Sequence, residues 1–379
     1  MTETHIPLLF EYPTLNGGER SMLAVLDRLA SRERQRPEFR FTAIAPNSGP
    51  LADALRSRGI DLRPLPLRDD AGRCLPREDV LERLRHELTS LNADLVHANS
   101  LAMGRLLGAL GDEFPIPRVA HLRDIIGLSR AAIADLNRND RLIAVSAATR
   151  ESHVAQGLDG GKTDVIYNGV DCDEFRSREK TGALTAELGL PDSAFLVLTI
   201  GQIGLRKGHD VLAESAVRLR DSLPQLHYVI VGERNSNKQE SIDFERSLVQ
   251  RFDDAGMRHR LLRLGYRDDV PRLMNEADLL VHPAHQEPLG RVLLEAAASG
   301  LPIVASDVGG TREILTDGVS ARLVPPGNPV ALAAAIAEIA SSPAMRARVA
   351  AAARESIAAR FPIQQAAEQL AAVWNRLIV

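Results

Sequence analysis

Short β-branched or apolar runs alternate with longer amphipathic stretches along nearly the whole chain, and this alternation restricts the fold more than any other feature. Such a pattern calls for parallel sheets covered by helices on both faces. In the first half the strand candidates are Ile6–Phe10, Phe41–Ala45, Leu95–His97, Arg118–His121, Leu142–Val145 and Asp164–Ile166, with helical spacing over Ser21–Ala30, Glu78–Leu91 and Leu101–Leu110. The turn-forming, charged stretch "YNGVDCDEFRSREKTG" interrupts the series. It then restarts with Leu196–Ile200, Tyr228–Val231, Leu261–Leu264, Leu279–His282, Pro302–Ala305 and Ala321–Leu323. A chain of 379 residues is too long for one ordinary core and suits two. The expectation is α/β, two doubly wound Rossmann-like domains facing across a cleft. The first covers 1–175 and the second 176–361, and an amphipathic helix over 362–379 packs back onto the first.

Composition narrows the function classes. The hydrophobic fraction is 45% and the charged fraction 25%, as in a globular protein, and no apolar run of 18 residues could span a bilayer. The opening "MTETHIPLLFEYP" lacks a basic segment followed by a long apolar run, so no secretion signal is read and a cytoplasmic location is expected. Cys74 and Cys172 are the only cysteines and are read as ordinary thiols. Net charge is −4, arginines are interleaved with acids as in "SRERQRPEFR", and aromatics are 4%, which argues against nucleic-acid binding.

In doubly wound sheets, ligands sit beyond the carboxyl ends of the strands. The suggestive loops of this chain lie at such ends: "YPTLNGGE", "HANS", "HLRD", "GQIGLRKG" and "HPAHQEPLG". In "TIGQIGLRKGHDVL", loop amides, a helix start and the cations Arg206 and Lys207 suit a diphosphate, although a plain turn with solvated basic residues gives the same letters. A second anion-favouring helix start is expected near Gly290, with free N–H groups around Leu289, Gly290 and Arg291. Glu287 would be repelled by that anion and should instead accept hydrogen bonds from hydroxyls. Glu295, two turns into the helix, needs a donor if buried, and a ribose diol is the natural one. Hydroxyls, a diphosphate and more hydroxyls is the order found in a sugar nucleotide.

"EPLGRVLLEAAASGLPIVASDVGGTREIL" resembles the E-x7-E signature and its continuation in the retaining glycosyltransferases of the GT-B fold, family 4. Gly17 and Gly18 in "LNGGER", then "AVSAATRESHVAQG", "VIYNGVDCDEF" and "GYRDDVPRLMNEADLLVHPA" are similar to further segments of that family, so the resemblance covers nearly the whole chain. It implies a nucleoside-diphosphate sugar donor, no cofactor or metal, and a hydroxyl acceptor such as a glycan or a lipid-linked sugar, with peripheral contact at the inner membrane face in the latter case. By position, Glu287 would hold hydroxyls of the transferred sugar, Glu295 the ribose, and Lys207 the diphosphate. Backbone near Tyr266 and Arg267 would meet the base, Gly17, Gly18, Gln202 and Pro288 to Arg291 would line the donor, and His121 would lie beside the sugar. The family often carries arginine where this chain has Gln202, with Arg206 available in its place.

Three other readings stay open at this level. Asp171-Cys172-Asp173 and the set His282, His285, Glu287 both have loosely metal-like spacing; the first reads better as turn chemistry, and Pro283 interrupts any helix that would gather the second. A sugar-nucleotide epimerase shares the two-domain architecture. A nucleotide-sugar-binding protein without turnover is the third.

Overall fold

The computed structural model describes residues 3–30, 38–69, 72–112, 114–234 and 236–378, so part of the Ser31–Arg40 charged run lies outside the described residues. Two compact units divide the chain: Met1–Gly169 with Ile363–Val379, and Val170–Pro362. The first boundary therefore falls six residues before the 175/176 position read from the sequence.

The first unit holds a seven-stranded parallel sheet: β1 (Thr4–Leu9), β2 (Phe39–Ala45), β3 (Asp61–Pro64), β4 (Val96–Ala98), β5 (Arg118–Leu122), β6 (Arg141–Ala144) and β7 (Thr163–Val165), in the order β3-β2-β1-β4-β5-β6-β7. β3 was not expected. It pairs in register with β2, Thr42 to Asp61 through Ala45 to Pro64, but as a short, mostly exposed edge strand ending in proline it carries no apolar alternation. Alternate residues of the central strands face two cores. Ile6 and Leu8 join the helices Gly17–Ala30 and Ile363–Leu377 on one side, while Leu9, Ile44 and Val96 join Arg77–Ser90 and Leu101–Gly108 on the other.

The C-terminal helix is a full member of the first core. Its residues Ile363, Ala366, Ala367, Leu370, Ala371, Val373 and Trp374 recur at helical spacing and are all buried. Trp374 is completely enclosed and meets Phe39 edge-on, with ring centroids 5.3 Å apart.

The second unit has six parallel strands, β8 (Phe195–Ile200), β9 (Leu226–Val231), β10 (Leu261–Gly265), β11 (Leu279–His282), β12 (Ile303–Ser306) and β13 (Arg322–Val324), ordered β10-β9-β8-β11-β12-β13. Both sheets thus share one winding rule, with the order reversing between β1 and β4 in the first and between β8 and β11 in the second. Such reversal points leave a crevice at the carboxyl ends where neighbouring connections run to opposite faces. Among the described residues no single helix is long and apolar enough to cross a membrane.

Candidate functional site

In the second unit, the loops after β8, β11 and β12 interlock at the reversal point. Gly208 closes the "GLRKG" loop with φ +68°, and a β-carbon there would lie 1.8 Å from the Pro283 carbonyl oxygen, so only glycine allows this approach. The His285 N–H donates to the Arg206 carbonyl at 2.9 Å, locking the same two loops together. The third loop joins through Gly310, whose N–H donates to the Glu287 carbonyl at 3.0 Å; a β-carbon there would fall 2.4 Å from the Pro288 oxygen. Gly208 and Gly310 therefore set how closely the loops approach, and this fixes Glu287.

Glu287 is 6% exposed and is met by two donors on one oxygen: Lys207 Nζ at 2.6 Å and His282 Nε2 at 2.8 Å from its Oε2. Burial alone would raise its pKa, but the Lys207 ammonium and the His282 hydrogen bond outweigh that and hold the carboxyl far below the usual range. His282 is kept neutral chiefly by its own burial, so its Nε2 carries the proton it donates. His282 is a residue whose part the sequence did not reveal. Its spacing to Glu287 looked metal-like, whereas in the fold it orients the glutamate, and no group of three His, Cys, Asp or Glu among the described residues is placed to hold a metal.

Gly290 caps the helix Arg291–Ala298 with φ +98°, which places a helix start at this glycine; within the first turn the Leu293 N–H donates to the Gly290 carbonyl at 2.9 Å. Leu289 points inward, 1% exposed, which leaves only its backbone for a ligand, and Pro288 is likewise buried. Glu295 is 8% exposed and pairs with Arg291 Nε at 2.7 Å, one turn before it on the helix. On the neighbouring turn Leu205–Lys207, Arg206 is exposed, as is Gln202 in the same loop. Tyr266, after β10, is 49% exposed. The Arg267 side chain is occupied by Asp269 and Glu187, at 2.8 Å and 2.7 Å, so any part it takes in a base site is through its backbone.

Asp171 of the D-x-D segment is engaged within its own turn. Its Oδ1 accepts the N–H groups of Asp173 and Glu174 at 2.9 Å and 3.2 Å, the geometry of a turn.

The first unit gathers its own polar set at the ends of β1, β4 and β5. Gly17 and Gly18 form the opening turn of a helix instead of a free loop. Asn16 precedes it, and Glu19, three residues on, accepts the Asn16 N–H at 3.1 Å, one half of a capping box. Asn99 Nδ2 donates to the Gly18 carbonyl at 3.2 Å, and Arg123 reaches the Asn99 side-chain oxygen at 2.7 Å and Asn168 Oδ1 at 3.1 Å. His121 is 4% exposed; its Nδ1 lies 3.1 Å from His97 Nε2 and 3.3 Å from Arg123 Nη2. Burial, reinforced by the Arg123 charge, lowers the His97 pKa to about 3 and keeps His121 well below its ordinary value, so both rings are neutral at physiological pH. Arg123, Asn99 and His97 were expected only as parts of the "HLRD" and "HANS" loops.

Residues 15–174 match the family model described as Glycosyltransferase Family 4, and residues 182–356 match Glycosyl transferases group 1. The D-inositol 3-phosphate glycosyltransferase of Mycolicibacterium gilvum is 30% identical over 65% of this chain and 58% of its own length. The enzyme of that name from Mycobacterium bovis is 29% identical over 61% of this chain and 50% of its own. The match thus spans little more than half of these relatives. Among solved structures, Anabaena HepE in complex with UDP and glucose superposes with a TM-score of 0.85 at 25% identity, over 98% of this chain and 99% of HepE. A sucrose-phosphate synthase from Thermosynechococcus elongatus has a TM-score of 0.81 at 20% identity, over 99% of both chains, and shares the fold.

Proposed function

Because this chain belongs to the family 4 glycosyltransferases of the GT-B fold, we propose that it moves a hexose or N-acetylhexosamine from a nucleoside-diphosphate sugar to a hydroxyl acceptor. The observation that carries this reading is the Lys207–Glu287–His282 contact set beside the helix start at Gly290. Glu287, ionised and held from behind, presents a carboxylate suited to sugar hydroxyls. Lys207 spends one of its three N–H donors on Glu287 and has two for a diphosphate. Arg206 adds a second cation on the same turn, which answers for Gln202. Glu295, aligned by Arg291, faces the ribose diol in this reading. The UDP and glucose of the Anabaena structure favour a uridine carrier over a guanosine one.

In this reading both signature glutamates hold hydroxyls of the donor, so neither serves as a nucleophile, and the two-carboxylate route of retaining glycosidases does not apply. The reaction is then a front-face substitution. The bond from the anomeric carbon to the β-phosphate oxygen breaks, and the acceptor oxygen bonds to that carbon on the same face. The acceptor's proton passes to the departing phosphate oxygen. Negative charge growing on the diphosphate is met by Lys207, Arg206 and the helix N–H groups, which act without a metal.

Incubation with UDP-hexoses in a chelating buffer tests this directly, because slow transfer to water needs no known acceptor. An α-linked donor should release UDP and an α-configured sugar, read by proton NMR before mutarotation. Release of the β-sugar would contradict retention, and no turnover of any nucleotide sugar would contradict the assignment.

A further inference from the structure

Trp374 of the C-terminal helix donates its indole N–H to His97 Nδ1 at 3.1 Å. An indole nitrogen only donates, so His97 Nδ1 must carry a lone pair, and a neutral ring then has its proton on Nε2. That proton points at His121 Nδ1, 3.1 Å away. Arg123 reaches the same nitrogen at 3.3 Å, and a guanidinium likewise only donates. The guanidinium of Arg123, and His97 fixed as a donor by Trp374, therefore both require His121 Nδ1 to be an acceptor.

We propose that Trp374 and His97 are positioning residues that lock His121 into the tautomer with its proton on Nε2, so that His121 gives a hydrogen bond to a substrate oxygen and cannot serve as the base of the reaction. The donor role rests on the reading that His121 faces substrate; the tautomer does not. The arrangement is closed on its inner side. Trp374 and His97 are fully buried, their rings stand at 89° with centroids 5.7 Å apart, and the indole is wedged by Phe39 and Phe41. No group in this line offers His97 an acceptor that would reverse the sequence of donors. A hydrogen-bond donor fixed in this way selects sugars that present an oxygen to it and disfavours deoxy analogues lacking one. It also leaves the acceptor's proton to the departing phosphate.

Long-range proton–nitrogen NMR of the histidine rings in the full chain reads the tautomers without any turnover. His121 and His97 should both show a protonated Nε2 and a bare Nδ1 at neutral pH. A protonated Nδ1 on His121, or an imidazolium, would overturn the proposal. The Trp374→Phe variant keeps an aromatic ring and loses only the donor, so His97 should then show mixed tautomers. Transfer should fall about tenfold in kcat, the scale of one lost hydrogen bond, with KM for the nucleotide sugar within about twofold. His97→Gln retains an N–H near the place of Nε2 and should keep most activity, whereas His97→Leu should not. Equal loss in the Gln and Leu variants, or full kcat in Trp374→Phe, would overturn the positioning role. Should the chain turn over no nucleotide sugar at all, the proposed function fails while the NMR result still stands or falls by itself.

Discussion

Glu287 shows what a single buried charge requires of its neighbours. Replacing Lys207 by Met leaves the carboxylate enclosed with one neutral partner, and this should lower stability by about 3 kcal/mol, at the lower end for a broken buried pair. Glu287→Gln removes the charge itself and should cost less than half as much, while abolishing measurable transfer. Urea denaturation of both variants checks the order; a more damaging Glu287→Gln would mean that the pair is held for stability and not for chemistry. The histidines give a pH dependence of definite sign. An unfolded imidazole takes up its proton near about 6.5, whereas His97 in the fold does so only near about 3. Between those values the unfolded chain holds the extra proton, so stability should fall as pH drops below about 6.5, by up to about 1.4 kcal/mol per pH unit from this residue. Above that range it contributes no slope. The slope should be shallower in His97→Gln, and an unchanged slope would show that His97 is already charged in the fold.

Elements carry the next level of constraint, chiefly through the loops that join them. Gly208→Ala forces a left-handed backbone on an L-residue and drives its β-carbon into the Pro283 carbonyl, so we expect loss of nucleotide binding and a marked fall in melting temperature; near-wild-type binding would contradict the account of interlocked loops. Much at this scale could be read from the sequence. Strands such as Leu279–His282 are enclosed on both faces and therefore appear as continuous apolar runs, and the E-x7-E pattern carried the helix start at Gly290. β3 was invisible because "DLRP" has no buried face to leave a hydrophobic imprint. The role of His282 was obscured for a different reason: spacing along the chain shows which groups are near one another but not which donates to which. The Trp374–His97 contact joins residues 277 positions apart, and nothing in either local sequence announces it. Arg267 offers the converse lesson, a conspicuous cation in a site segment whose side chain the fold spends on Asp269 and Glu187.

At the scale of the whole molecule, the chain repeats one winding scheme and then returns its last helix to the first unit. Removing residues 363–379 takes seven buried side chains, Trp374 among them, out of the first core. A tryptophan truncation alone costs about 3–5 kcal/mol, so the shortened chain should lose the first unit's cooperative melting. The second unit is continuous from Val170 to Pro362 and contains Lys207, Glu287, Gly290 and Glu295, so expressed by itself it should still bind nucleotide. In the proposed function this unit holds a nucleoside diphosphate through those residues. Isothermal calorimetry of the full chain with UDP in a chelating buffer, beside Glu295→Ala, tests it most directly. Saturable binding is expected, weakened about tenfold or more by the substitution, the scale of a hydrogen bond to a charged group. Binding unaffected by Glu295→Ala, or no binding of UDP or any other nucleoside diphosphate, would contradict it.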